Sequence, residues 1–425
     1  MTDLVGRNVL LVLLLLAPAA TSAAQQTSGQ RDSPGAIDNT IDAAEEEGER
    51  PTGLTWNEWD GRYFSIRGGG GYLLDYATYS QDENSKEQIA LSPEWKPRDL
   101  RILFKGRLKF LGDTTWSAGI MYDFANEEWV FRQTGVMFSV PKVAGHFFVG
   151  RTKEGFSMNK VMVGYGGWTM ERAPINDATL PILADGVKWL GYAPKAHLIW
   201  NIGVYGDTFS EGQGFSTYEN QVSGRLAWVP IVEGEGGTLL HLGFSLRYGK
   251  PKNDSLNLRA RPGAWPAPYF VETGKFDTTG TTLTGVEAYY RPGKYTFGSE
   301  WFFQDVDAPE SGNPLFHGGE VFASWLITGE TRGYNTQGGH FNLVAPFRSV
   351  FNGGPGAWEV LGHATWVDLD SGTLSGGQFW RLTPMVNWYL SGSVRLEFAY
   401  GYGSLDRFGL TGKTHFFQTR IQLQM

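Results

Sequence analysis

The sequence predicts an all-β protein: a transmembrane antiparallel β-barrel of about 16 strands. Three observations lead to this fold class, namely an N-terminal export segment, a composition rich in aromatic residues and glycine, and a long alternation of apolar and polar residues. In such a barrel one face of each strand meets hydrocarbon and the other meets an aqueous lumen, so every strand alternates with a period of two residues.

The first 24 residues predict a secretory signal peptide. "MTDLVGRNVLLVLLLLAPAATSAAQQ" has a short head with Arg7, an apolar core from Val9 to Ala17, and small residues before a cleavage position near Ala24. That core is shorter than the roughly 20 residues that a membrane-spanning helix needs. Residues 25–59 are rich in Gln, Ser, Gly, Ala and acids and predict a disordered linker, which leaves 60–425 as the barrel domain.

The composition fits an exported β-protein. Aromatic residues make up 14% of the chain and there are 57 glycines, yet the mean hydropathy of −0.27 is too polar for a helical membrane protein. A large secreted β-sandwich or β-helix enzyme has similar bulk values. The absence of cysteine excludes disulfides and thiolate metal sites. Eight of the 44 acids and three of the 36 bases lie in residues 1–50, so residues 51–425 carry 36 acids and 33 bases, which does not suggest a nucleic-acid partner.

Alternation begins at about Arg62 and continues to the C-terminus. In "RILFKGRLKF" the apolar residues Ile102 and Phe104 share one face of the strand, and Arg101 and Lys105 share the other. We count roughly 16 or 17 such segments of about 8–12 residues. A soluble sandwich would need a second sheet over each apolar face, whereas a barrel in hydrocarbon closes because a free sheet edge cannot be satisfied there. The continuous alternation therefore favours the barrel.

If the apolar face points outward, two groups of charges point into the lumen. The inward basic residues include Arg101, Lys105, Arg107, Lys109, Arg132, Arg225, Arg247, Arg381, Arg395 and Arg420, and the inward acidic residues are Glu287, Glu300, Glu320, Glu359 and Glu397. The bases dominate the first half of the chain and the acids lie in the second half. The sequence therefore predicts two lumen walls of opposite sign.

Two long segments, 153–186 and 250–279, interrupt the alternation. Segments of this length without regular structure are usually functional or disordered. Their Trp, Tyr, Met and Pro content indicates order. An ordered segment of this kind can fold into the lumen and narrow it, or it can cap the barrel from outside with no role in permeation.

Several separated stretches resemble the phosphate-selective porin O/P family of Gram-negative outer membranes. They are "GRTKEGFSMNKVMVGYGGWTMERAPINDATLPILADGVKWLGY", "RARPGAWPAPYFVETG", "GGHFNLVAPFRSVFNGGPGAWEV" and "VNWYLSGSVRLEF", and the similarity spans about 60–425. The resemblance implies a 16-stranded barrel in outer-membrane lipid, a homotrimer, and a diffusion channel whose third loop folds inward. Family members named for phosphate conduct anions with lumen arginines and lysines.

The candidate constriction residues follow from this resemblance. They are the bases Arg151, Lys153, Lys160 and Arg172, opposed by Glu154, Glu171 and Asp177. Arg and Lys rings select anions because an ion in a narrow pore needs compensation for its lost hydration. Each of these residues could instead form an ion pair that only fixes the shape of the loop. We therefore expect a channel for small hydrophilic solutes, particularly anions such as phosphate, with a weakly selective general porin as the alternative.

No catalytic, cofactor or metal site is predicted. Seven histidines are scattered along the chain without a G-x-S-x-G motif, and "DLDSG" and "DENSKE" do not complete a calcium-binding loop. An outer-membrane hydrolase could still assemble its residues from distant strands, so it remains an alternative class. A structural barrel with a plugged lumen is a third class, although many lumen-facing Gly and Ser residues favour open space.

Overall fold

The computed structural model describes residues 56–112, 114–162, 165–206, 218–234 and 236–425. The predicted signal peptide and most of the predicted linker lie outside the described residues. The described chain includes a short strand, Glu58–Asp60, which pairs with Ser65 to Arg67 at the start of the barrel. This strand lies slightly ahead of, and across, the predicted boundary at residue 60.

Sixteen antiparallel strands form the barrel wall. In chain order they are β1 Ser65–Gln81, β2 Glu94–Arg107, β3 Thr114–Asp123, β4 Glu128–Val140, β5 Gly145–Thr152, β6 Ala184–Ala193, β7 Leu198–Gly206, β8 Tyr218–Val232, β9 Thr238–Pro251, β10 Gly280–Pro292, β11 Tyr295–Asp307, β12 Leu315–Leu326, β13 Ala357–Ser371, β14 Leu374–Tyr389, β15 Val394–Arg407 and β16 Leu410–Gln424. Each strand pairs with its neighbours in sequence.

The sheet closes on itself between the first and last strands. β16 pairs with β1 from Gly71↔Gln424 to Gln81↔Thr414. Closure leaves no free edge, so the backbone N–H and C=O groups of every wall strand are paired within the sheet. The predicted 16-stranded barrel is confirmed.

The alternation of the sequence becomes an outer and an inner face. On β8, Val222, Leu226 and Trp228 are exposed on the outside, while Gln221 and Arg225 are buried on the inside. This is the arrangement that a lipid-facing wall around a filled lumen requires.

The remaining elements are short. The helices are α1 Glu83–Gln88, α2 Met158–Val161 and α3 Pro174–Thr179, and two-residue strands pair Ser255–Leu256 with Phe276–Asp277, Arg259–Ala260 with Val271–Glu272, and Tyr334–Asn335 with His340–Phe341. Single 3-10 turns occur at Lys109–Leu111, Pro141–Val143, Lys252–Asp254, Pro309–Ser311 and Val350–Asn352. No helix in the described part of the chain is long and apolar enough to cross a membrane.

The long connections do not all lie at one end of the barrel. Because the strands are antiparallel and even in number, the start of β1 and the end of β16 share one end, here called the termini end. The connections 82–93, 153–183 and 252–279 lie at the opposite end, here called the loop end. The connection 327–356 follows β12 and lies at the termini end, so each end of the barrel carries at least one long connection.

The connections 153–183, 252–279 and 327–356 fill much of the lumen. Phe156 and Ile175 from 153–183 and Phe270 from 252–279 join one buried apolar cluster with the wall residues Phe302 and Phe416. Most of the protein's apolar core therefore lies inside the barrel, where the inserted segments pack against the wall. The lumen is narrowed from both ends.

Candidate functional site: a constriction in the barrel lumen

The connection 153–183, here called the constriction loop, crosses the lumen from β5 towards the opposite wall. It turns into α2 at Ser157, whose φ of 62° places a non-glycine residue in the left-handed region. The Ser157 hydroxyl donates a hydrogen bond to Glu300 Oε2 at 2.6 Å, and the Ser157 backbone N–H donates to the Ser245 hydroxyl at 3.1 Å. These two wall contacts explain how this strained conformation is held.

Three adjacent carboxylates form the anchor of the constriction loop. Glu287, Glu300 and Glu320 lie directly opposite one another in the register of β10, β11 and β12. The Met158 N–H donates to Glu287 at 2.6 Å, and the Asn159 N–H donates to Glu300 at 3.1 Å. The side-chain amide of Asn159 donates to Glu320. Carboxylates at the first N–H groups of a helix satisfy donors that have no partner within the helix.

All five predicted inward acids are buried and hydrogen-bonded. Besides its contacts to the loop, Glu287 pairs with Arg225 at 2.5 Å and His241 at 2.7 Å, and Glu320 with His363 at 2.8 Å. The other two pairs are Glu359 with Arg332 and Glu397 with Arg395, at 2.9 and 2.5 Å. Each of the five acids is exposed by 6% or less. The acidic wall is therefore occupied by protein partners and presents little free charge to the lumen.

The far part of the constriction loop contacts the wall at the barrel seam. A Cβ on Gly71 of β1 would lie 2.6 Å from the ring of Tyr165, so a glycine is required for this close approach. The guanidinium of Arg101 stacks on the same ring, 4.5 Å from its centroid. Gly71 thus leaves room for the Tyr165 ring, and Arg101 packs against the face of that ring.

Glu171 forms an ion-pair network with two wall arginines. Its carboxylate accepts from Arg98 at 2.8 Å and from Arg420 at 2.5 Å, and Arg420 also pairs with Asp75 at 2.6 Å. Burial raises the pKa of Glu171, but the charges and hydrogen bonds of Arg98 and Arg420 outweigh it and bring the pKa down to about 2. This acid therefore stays ionised.

Four bases gather between the constriction loop and the wall of β2 to β4, here called the cationic cluster: Arg101, Arg132, Lys153 and Arg172. Among the described residues, only Arg101 has a carboxylate partner, Asp99; Arg132, Lys153 and Arg172 have no ion pair there. None of the four is fully buried. Instead of acids, Arg132 contacts the Met121 sulfur, Lys153 donates to the Met162 carbonyl and Arg172 donates to the Asn159 carbonyl.

The bases of the cationic cluster lie within electrostatic reach of one another. Burial lowers the pKa of the Lys153 amine well below its ordinary value, and the charges of Arg172 and Lys160 lower it further. Arg101 and Arg132 act in the same direction. An anion placed among them would relieve this repulsion and favour protonated Lys153.

Arg172 also borders a cleft on the other side of the constriction loop. The cleft lies between this loop, segment 252–279 and strands β13 to β16, and its lining includes Thr169, Pro262, Thr365, Arg381, Thr383 and Gln418. Arg381 donates there to the Pro262 carbonyl and to the Gln418 side chain. The cleft therefore combines hydroxyl and amide groups with two arginines, Arg172 and Arg381.

The other two predicted constriction bases are bonded to groups outside the cationic cluster, although the charge of Lys160 still acts on Lys153. Arg151 forms a buried ion pair with Asp185 at 2.8 Å, on the face of β5 that also carries the exposed Val149. Lys160 is buried and donates to the backbone carbonyls of Pro181 and Ile182, so it fixes the shape of the constriction loop.

The other predicted lumen bases on or next to β2, β8 and β9 occupy three environments. Lys105 and Arg107 lie on β2 towards the termini end, and Lys109 lies beyond that strand, where it pairs with Asp60 at 2.6 Å. Arg225 is bound to Glu287. Arg247 is bound to Glu154 at 3.1 Å and to the Tyr218 hydroxyl. Only Arg101 and Arg132 of the predicted wall bases therefore belong to the cationic cluster.

Two participants were not predicted. Arg98 and Arg101 are three positions apart, so strict alternation would place them on opposite faces of β2. The register with β1 shifts between Leu73 and Leu74, and this shift allows Arg98 to pair with Glu171. Pro97 is the one sequence signal of this irregularity, because proline within a strand marks a bulge. Arg332 was also missed, since it lies on the connection 327–356.

The model of the phosphate-selective porin O and P family matches residues 66–425. The chain belongs to this family. An uncharacterized protein of Caulobacter vibrioides is 28% identical over 202 residues, which cover 45% of this chain and 38% of that protein, so the chain matches well under half of that relative's length. The family and the closed barrel place the protein in the outer membrane.

Solved porin structures share the fold. OmpT of Vibrio cholerae has a TM-score of 0.54 at 10% identity, covering 86% of this chain and 99% of that chain. An anion-selective porin from Comamonas acidovorans has a TM-score of 0.51 at 11% identity, covering 85% and 100%. Salmonella typhi OmpF has a TM-score of 0.53 at 13% identity, covering 87% and 100%. At these identities the likeness concerns the fold alone.

Proposed function

We propose that this protein is an outer-membrane diffusion channel for small hydrophilic solutes that favours anions, phosphate among them. The observation that carries the proposal is the cationic cluster: Arg132, Lys153 and Arg172 have no ion pair among the described residues, whereas the five wall acids are all bonded to protein donors. The constriction loop brings Lys153 and Arg172 to the basic wall.

Charge at a narrow passage decides which ions enter. A unit charge about 5 Å from an ion contributes on the order of 1–3 kcal/mol, depending on how much water screens the pair. Arginine presents several N–H donors in one plane, which suits the oxygens of phosphate, and lysine adds a mobile cation. A cluster of this composition lowers the barrier for an anion and raises it for a cation.

The direct test is single-channel recording of the refolded protein in a planar bilayer. In a tenfold KCl gradient we expect a reversal potential close to the chloride limit, and added phosphate should reduce the chloride current because it competes for the same cations. A reversal potential near zero would overturn anion selectivity and leave a weakly selective general porin. Absence of conductance would overturn the channel proposal itself.

We further propose that the chain is exported by residues 1–24, that 25–59 form a linker, and that the barrel assembles as a homotrimer. The export segment rests on its short apolar core, and the trimer rests on family membership. Cross-linking of the folded protein in detergent should give a three-subunit ladder. A single-subunit band under conditions that preserve the barrel would exclude the trimer.

A further inference from the structure

The connection 327–356 at the termini end consists of two halves with opposite surroundings. The inner half, 330–344, enters the lumen, and the outer half, 345–356, lies at the rim of the barrel. Val344, at the end of the inner half, is buried against the wall residues Leu326, Ala357 and Tyr389. The junction between the two halves is therefore packed against the barrel wall.

The inner half is bound to the lumen wall and to the constriction loop. Arg332 donates to both oxygens of Glu359, at 3.0 and 2.9 Å, and to the Gly166 carbonyl at 3.0 Å. Phe341 stacks edge-on against Trp168, with ring centroids 5.9 Å apart. The position of the inner half thus affects the constriction loop directly.

The outer half lies against the lipid-facing side of the barrel. Trp358 and Trp388 alternate with the lumen-facing Glu359 and Asn387, so they point outward, and their rings stack 4.8 Å apart. Both indole N–H groups donate to the carbonyl of Pro355, at 3.2 and 3.0 Å. The outer half therefore continues the lipid-facing surface at the termini end.

This outer half exposes large apolar side chains. Phe347 is 77% exposed and Phe351 is 59% exposed, and Arg348 lies between them with its Nε bonded to the Asn352 carbonyl. Aromatic rings next to an arginine are typical of the region where acyl chains meet headgroups: the rings take the apolar side, and the guanidinium reaches the phosphates. Continuity with the outward Trp358–Trp388 pair identifies the bilayer as the occupant of this surface.

We propose that residues 345–356 form a lipid-contacting strap that inserts Phe347 and Phe351 into the membrane leaflet at the termini end and so holds the inner half in the lumen. Hydrogen bonds link the outer half directly to the inner half. Glu330 at the start of the inner half accepts from the Phe347 N–H at 3.1 Å and from the Thr328 hydroxyl. The proposal concerns membrane contact and order, and it does not depend on which ions the lumen passes.

Membrane contact can be tested with labels because the chain has no native cysteine. The variant Phe351→Cys is labelled with bimane and reconstituted into phosphatidylcholine vesicles whose acyl chains are brominated. Ala196→Cys, in the exposed turn between β6 and β7 at the same end, is the matched control. We expect bromine quenching and a blue-shifted emission at 351 and neither at 196. Equal emission and quenching at the two positions would overturn the strap.

The link to the lumen needs a second measurement. In Phe347→Ser/Phe351→Ser we expect at least several-fold faster hydrogen exchange of the amides in 330–344, in vesicles and with the barrel intact by circular dichroism. Phe110→Ser removes another exposed aromatic at the termini end and should leave that exchange unchanged. Unaltered exchange in the double variant would show that the lipid does not hold the inner half, even if the label at 351 is quenched.

Discussion

The acidic wall of β10 to β12 and the cationic cluster beside β2 to β4 arise from the same alternation but differ in what binds them. Glu287, Glu300 and Glu320 are bonded to the N-terminal end of α2, to His241 and to His363. Among the described residues, Arg132 and Lys153 have no acid within ion-pair distance. The number of inward charges therefore does not by itself decide the field in the lumen, because one set is bonded to the constriction loop and most of the other set has no acid partner.

The largest expected effect comes from removing the unpaired cations. In Arg132→Gln/Lys153→Gln/Arg172→Gln, the ratio of chloride to potassium permeability should fall by about tenfold or more, because each charge contributes on the order of 1 kcal/mol near the passage. The reversal potential in a KCl gradient measures it. Lys142→Gln/Lys195→Gln removes exposed lysines from two turns and should leave the potential unchanged. A triple variant with the wild-type potential would exclude the cluster as the selectivity site.

The next effect is structural and concerns the acidic wall. Glu300→Ala leaves the Ser157 and Tyr289 hydroxyls and the Asn159 N–H without their acceptor. Unsatisfied buried donors cost roughly 1–3 kcal/mol each. We expect a lower urea midpoint and a noisier open-channel current, with the reversal potential retained. Glu310→Ala, an exposed acid in the turn after β11, is the control. A large change in reversal potential without loss of stability would mean that Glu300 acts on ions directly.

A smaller effect should follow from Glu171→Gln, because Glu171 links the constriction loop to two wall arginines, Arg98 and Arg420. Loss of this acid leaves Arg98 and Arg420 with less compensation, so chloride preference should rise by a few-fold. The pKa of Glu171 is depressed from 4.5 to about 2 in the folded protein, with burial opposing and the two arginines prevailing. Its contribution to stability is therefore complete above about pH 4.5 and is lost as the pH falls towards 2.

The pH dependence supplies the measurement for this variant. Between pH 5 and pH 3 the urea midpoint of the wild-type protein should fall more than that of Glu171→Gln. Parallel midpoints for the two proteins would show that the ion-pair network of Glu171 does not contribute to folding.

Strand number, closure and the two faces of the barrel could be predicted because they depend on a local pattern. Val222, Leu226 and Trp228 recur at every second or fourth position, and that spacing alone places them on one face. The inward direction of Glu287 and Glu300 follows from the same rule. The rule does not predict the direction of Arg98, because a register shift between β1 and β2 interrupts the alternation of faces.

The partners of the charged residues could not be predicted. Ser157 and Glu300 are 143 residues apart, and Arg395 meets the Gly167 carbonyl across 228 residues. No periodicity relates such positions. For the same reason Lys160 and Arg172 looked equivalent in the sequence, although Lys160 is buried and bonded to two loop carbonyls, whereas Arg172 is partly exposed and donates to the Asn159 carbonyl.

By itself the sequence determined a closed barrel with an apolar exterior, since hydrocarbon accepts only strands whose backbone is fully paired and whose outer side chains are apolar. It also determined the inward direction of the wall charges that follow the alternation, such as Glu287 and Glu300. Only the tertiary structure decided which of those charges remain available. The constriction loop brings α2 to the acids and Lys153 to the bases, and a buried charge acts on solutes only when no protein group already compensates it.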